Sequence, residues 1–189
     1  MKNELARVES QSAQVGGLLR ASGSSIVIGS DSVGSNPVDL PDLGGLTLGY
    51  TELTDNGVVN ATTSYTVIDA DAKVTFAAPK SGNVEILLSL YVDDTSSSVY
   101  EYFLALSTAS SYSSLGNLFE RKVAQQDTTD DLTIDLYFYV TGLTPGQSYT
   151  YYAAQKNSHL AIMNRVLWGN GYPSLIMHAK SLPDSIYSG

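Results

Sequence analysis

Residues Lys73 to Val92, KVTFAAPKSGNVEILLSLYV, decide how the rest of the chain is read. Val74 and Phe76 share one side of a short strand, and Pro79-Lys80-Ser81-Gly82 carries turn chemistry. Val84, Ile86, Leu88, Leu90 and Val92 then repeat at a period of two. The pattern predicts a half-buried strand, a turn and a longer strand. The other face of the longer strand holds Glu85 and Ser89 but also Leu87 and Tyr91, so a second covering surface is expected there.

Composition bounds what surrounds this pair of strands. A chain of 189 residues can bury a core without metal or disulfide staples, and with no cysteine it has neither a disulfide framework nor a thiol nucleophile. Only ten Lys plus Arg against a net charge of −9 argue against nucleic acid and anionic membrane as partners. No stretch approaches the ~20 apolar residues of a membrane span, and MKNELARVES lacks the apolar core of a signal peptide. The expected place of synthesis and assembly is therefore the cytoplasm, which makes Asn60-Ala61-Thr62 irrelevant as a glycosylation acceptor.

Ahead of these strands, Leu5, Val8, Ser12, Val15 and Leu19 are spaced by three and four, the stripe of a short amphipathic helix over residues 1–20. Ser12 interrupts the seam, and Gly16-Gly17 each weaken a helix by roughly 1 kcal/mol, so the helix needs a partner: its own domain, other copies, or another protein. Residues 21–57 turn to Ser, Gly, Asp and Pro and read as an extended arm or linker. Within it Ser25-Ile26-Val27-Ile28 and Leu46-Thr47-Leu48-Gly49-Tyr50 are short edge-strand candidates. Residues 58–189 form the head. Tyr100 to Leu106, Leu115 to Ala124, Leu132 to Val140, Tyr149 to Gln155, Ile162 to Trp168 and Leu175 to Ala179 bring the head to roughly eight strands, at spacings that suit an all-β antiparallel sandwich of jelly-roll type.

Catalytic signatures are missing from the sequence: it has no Gly-x-Ser-x-Gly elbow, phosphate loop or dinucleotide fingerprint. His159 and His178 do not fall in metal-ligand spacing, and His178, between Met177 and Ala179, reads as structural. Asp93-Asp94 and the Asp127 to Asp131 run have the oxygen ligands for calcium or a glycosidase pair. Neither has the calcium-loop pattern, and solvated acidic turns are the plainer expectation. No cofactor, no metal and no enzymatic activity are expected. Trp168-Gly169-Asn170-Gly171-Tyr172 reads either as a sugar-stacking contact through Trp168 and Tyr172 or as a Trp that closes the end of a sandwich.

Three pieces together, Val74 to Val84, Gly142-Leu143-Thr144-Pro145-Gly146-Gln147-Ser148-Tyr149 and Trp168 to Pro183, resemble the trimeric jelly-roll head domains of phage fibres and capsids, relatives in architecture of tumour necrosis factor. The resemblance spans about residues 58 to 183 and implies a homotrimer with one sheet facing the threefold axis. Leu87, Tyr91, Tyr137, Tyr139 and Tyr151, opposite the faces assigned to the core, are the contact residues it implies, joined by Leu5, Val8, Val15 and Leu19 of the helix stripe. The function it implies is a capsid decoration or cement protein that binds the major capsid protein or another virion protein through residues 1–57. No internal repeat of the kind a fibre shaft needs is present. The second expectation is a short tail fibre or receptor-binding tip that recognises host polysaccharide.

Overall fold

The computed structural model describes residues 19–22, 25–28, 38–39, 45–94, 100–112, 117–126, 131–158 and 164–183. Every described element is a strand: β1 (Leu19–Ser22), β2 (Ser25–Ile28), β3 (Val38–Asp39), β4 (Thr47–Leu53), β5 (Gly57–Asn60), β6 (Thr66–Val67), β7 (Lys73–Ala77), β8 (Val84–Asp94), β9 (Tyr100–Ser107), β10 (Asn117–Gln126), β11 (Leu132–Val140), β12 (Ser148–Asn157), β13 (Asn164–Trp168) and β14 (Leu175–Ser181). All pairings are antiparallel, and the chain folds as an all-β, jelly-roll-like sandwich.

The expected succession of strand, turn and longer strand is present. β7 and β8 are separated by a turn in which the Gly82 N–H donates to the Pro79 carbonyl at 2.9 Å. β7 and β8 go to different sheets, so the turn is a corner between layers. In one layer β10, β9 and β12 lie in order, with β6 and β7 both along the far side of β12. In the other, β8 pairs along its length with β11, and its opposite side takes first β14 and then β13, which are flanked by β4 and β5. The layers close over Val84, Ile86, Leu88, Leu90 and Val92 of β8, Phe138 of β11, Tyr102, Leu104 and Leu106 of β9, and Leu175 and Met177 of β14. A polar tie crosses this core: the Tyr102 hydroxyl donates to Gln155 Oε1 at 2.6 Å, and Gln155 Nε2 donates to the Val59 carbonyl of β5 at 3.3 Å.

The three segments quoted for the family resemblance meet at one end of the sandwich. The Leu143 N–H donates to the Gly82 carbonyl at 3.0 Å, the Leu182 N–H to the Asn83 carbonyl at 2.9 Å, and Ser81 Oγ to the Leu182 carbonyl at 2.6 Å. Gly82 has φ +67°, and a Cβ there would stand 2.5 Å from the Leu143 carbonyl oxygen, so glycine is required by both conformation and space.

Two expectations about the N-terminal portion change. Leu19 and Arg20, read as the end of a helix, are strand residues opposite Ile28 and Val27, and β3 extends the same small sheet. Ser25 to Ile28, rich in β-branched residues, supplies the strand partner of Leu19 to Ser22, just after Gly16-Gly17, two poor helix residues. Leu5, Val8 and Val15 lie outside the described residues. The arm expected up to residue 57 also gives strand β4 to the sandwich: Leu53 to Gly49 pair with Leu175 to Ala179, and the Gly45 N–H donates to the Ser181 carbonyl at 2.6 Å. The sandwich therefore starts near residue 45.

Candidate functional site

The outer face of the six-stranded sheet is built of four rungs whose members are direct neighbours across strands. Tyr137, Leu87, His178 and Tyr50 form one, running over β11, β8, β14 and β4. Tyr139, Glu85, Lys180 and Thr47 lie on one side of it, and Asp135, Ser89, Ile176 and Glu52 on the other. Thr133, Tyr91, Leu167 and Val58 complete the face over β11, β8, β13 and β5. With strands about 4.8 Å apart, each rung is about 14 Å wide. Tyr137, Tyr139 and Tyr50 are 45%, 51% and 54% exposed, an unusual density of open aromatic surface on one sheet.

At the β11 edge, the strand's partner among the described strands is β8, so nine residues of backbone border the aromatic face without a second described strand beside them. At the β4 edge the Tyr50 ring meets the His178 ring edge-on at 5.8 Å, the Tyr50 hydroxyl donates to Glu52 at 3.0 Å, and Thr47 Oγ1 lies 2.9 Å from His178 Nε2. The bond to Glu52 raises the Tyr50 pKa. Desolvation, helped by the charge of Lys180 and opposed by Glu85, lowers that of His178.

The upper end of the face is a separate cluster. The Tyr91 hydroxyl donates to Asp131 Oδ2 at 2.5 Å, the Tyr91 and Tyr172 rings lie 5.3 Å apart, and Arg165 Nε donates to Asp93 Oδ2 at 2.5 Å while its terminal nitrogen also meets that oxygen. The Asp131 bond, with desolvation and the charges of Asp131 and Asp93 behind it, pushes the Tyr91 pKa up to about 12. Asp93, expected in a polar loop, is instead a strand residue held by Arg165. Asp127 and Asp130 lie outside the described residues, and among those described no group of three His, Asp or Glu is placed to hold a metal ion.

The residues expected to form contacts divide accordingly. Leu87, Tyr137 and Tyr139 share the outer face; Tyr91 shares it too but is engaged with Asp131 and Tyr172 of its own chain. Tyr151 is not on an outer face. It is 1% exposed, stacked on Phe76 at 5.9 Å and opposite buried Val74. In β12 the outward set includes Lys156, and the alternate set, Tyr149, Tyr151, Ala153 and Gln155, faces inward. Trp168 is 5% exposed and fills the space over Gly57, its direct strand partner, so it closes the sandwich and offers no sugar platform. Tyr172 is open, at 42%. Sequence reasoning missed Tyr50 and His178 as members of the face; the alternation of Tyr50 with Glu52, and of His178 with Ile176 and Lys180, was the available signal.

No family model and no curated protein matches the chain. Among solved structures, it is similar to a structure of the infectious bursal disease virus Gx strain at 10% identity and TM-score 0.36, over 89% of this chain and 40% of that one. A structure of the Gt strain of the same virus gives 13% identity and TM-score 0.26, over 85% and 46%. The CBM22-1 and GH10 modules of the Clostridium thermocellum xylanase 10B, complexed with xylohexaose, give 10% identity and TM-score 0.28, over 78% and 30%. The chain spans less than half the length of each, and likeness at these scores carries no argument about function.

Proposed function

We propose that this chain is a non-enzymatic structural protein of a phage virion, a homotrimer that decorates the capsid and cements it, with the segment ahead of the sandwich attached to the particle. The observation that supports assembly is the pair Tyr137 and Tyr139, half exposed on β11 and continuous with Leu87 and Tyr50. Covering about 100 Å² of each ring contributes about 2.5 kcal/mol per ring. Two rings per subunit give about 5 kcal/mol, only the low end of the roughly 4–15 kcal/mol that association costs, so a stable trimer also draws on Leu87, Tyr50 or the N-terminal stripe. The virion assignment is supported by the sequence resemblance, whose three segments converge at one end of the fold. A protein that binds only the assembled shell adds its binding free energy to shell stability by mass action.

Sedimentation velocity at micromolar concentration tests the assembly. A trimer is expected for the full chain and a folded monomer for Tyr137→Asp/Tyr139→Asp, and a stable wild-type monomer overturns the reading. Particles lacking the protein are expected to lose their contents at lower temperature, and density for three copies around a threefold axis is expected on the capsid surface. A short tail fibre or receptor-binding tip is the second reading, favoured by open Tyr172.

A further inference from the structure

Gly169, Asn170 and Gly171 have φ of +69°, +49° and +95°, three left-handed residues in succession. Asn170-Gly171 has the composition and backbone of a tight primed turn, closed by a bond from the Tyr172 N–H to the Gly169 carbonyl at 3.0 Å. A Cβ on Gly169 would stand 2.4 Å from the Thr54 carbonyl oxygen and 2.5 Å from that of Asp55, so the turn is seated against the β4–β5 connection. A strained, anchored turn thus delivers Tyr172 to the outer face at a defined place. There its exposed ring meets Tyr91, whose hydroxyl is bound to Asp131 and which also feels the charge of Asp93.

We propose that this cluster, Tyr172 and Tyr91 with Asp131, Asp93 and Arg165, binds a neutral pyranose ring of a glycan. It shares the ligand class and Tyr172 with the tail-tip reading, and it stands whether or not the chain trimerises. A pyranose has an apolar C–H face that stacks on an aromatic ring and a rim of hydroxyls that donate to carboxylates. The Tyr91 bond occupies one acceptor site on Asp131, and an ionised carboxylate has about four, so capacity for sugar hydroxyls is left. The Asp131 bond and the neighbouring ring hold Tyr91, and the turn holds Tyr172, so little side-chain freedom is lost on binding. Charge selects against acidic sugars: the chain carries −9, two carboxylates border the rings, and Arg165 is already engaged by Asp93.

Saturation-transfer NMR on the full chain tests this with the methyl pyranosides of glucose, galactose, mannose and N-acetylglucosamine in one arm and with dextran and galactomannan in another. Saturating the protein aromatics is expected to transfer to the ring C–H protons of at least one probe. A signal in the first arm identifies a single residue as sufficient, and a signal confined to the second identifies a longer glycan. Tyr172→Ala and Asp131→Asn are each expected to weaken binding about tenfold or more, with Tyr172→Phe close to wild type. Trp168 emission reports the fold, and Asp131→Asn, away from the turn, decides the matter if Tyr172→Ala alters it. No transfer to any probe, or transfer unchanged in Asp131→Asn, overturns the proposal.

Discussion

Tyr91 joins a carboxylate, a second ring and an ion pair within one chain, and its titration reports whether that cluster exists in solution. Its pKa is raised from 10 to about 12 chiefly by the bond to Asp131, so folding favours the neutral phenol. The stability this contributes is complete below pH 10 and disappears as pH climbs through about 12. Phenolate absorbance is expected to show a late-titrating component from Tyr91 that Asp131→Asn returns toward 10. His178 behaves in the opposite sense. Burial and Lys180 lower its pKa, so its contribution is present above pH 6.5 and is lost as pH falls below that value; an NMR titration midpoint at or above 6.5 would contradict the packing described. Gly57→Ala would place a Cβ 2.0 Å from Trp168, and overpacking of this kind costs about 1–3 kcal/mol, readable by denaturant unfolding together with Trp168 emission. Residues such as Val84, Ile86, Leu88, Leu90 and Val92 were legible from alternation alone, because period two leaves them one face. Tyr151 was not, because tyrosines occupy both faces of β12 and only its register with β7 settles which set is covered.

At the scale of elements, the two borders of the six-stranded sheet matter most. β4 covers one side of β14, and Gly49 lets it approach β7 of the other layer, where a Cβ would stand 2.7 Å from the Thr75 carbonyl oxygen. Removal of residues 1–44 takes no strand from either sandwich sheet and is expected to leave the thermal midpoint of the head nearly unchanged. Removal of residues 1–57 strips β4 and uncovers β14, and is expected to lower that midpoint by about 10 °C or more in calorimetry. If the proposed attachment is right, the shorter deletion also abolishes particle binding. β4 was expected as an edge strand yet assigned to an arm, since its Gly-rich approach, Asp42-Leu43-Gly44-Gly45, reads as linker. Its place in the sheet follows from pairing with β14, more than a hundred residues away, which local composition does not encode.

For the whole molecule, an acidic all-β sandwich without cysteine presents an aromatic outer face bordered by β11, whose partner among the described strands is β8, and, at the upper end of that face, a rigid turn with an exposed ring. The two proposals assign these regions different work, so they separate cleanly: Tyr137→Asp/Tyr139→Asp is expected to dissociate the assembly while sugar transfer through Tyr172 persists. Sequence by itself determined the fold class, the turn between β7 and β8, the alternation of β8 and β11 and the absence of thiol chemistry. Each of these depends on residues close together in the chain. Only the tertiary structure decided that Tyr151 and Trp168 are core, that Asp93 pairs with Arg165, and that Tyr50 stands in line with Tyr137 across four strands. Those facts depend on which strands meet and in what register, and in an antiparallel sheet one residue of slip exchanges the covered face for the open one.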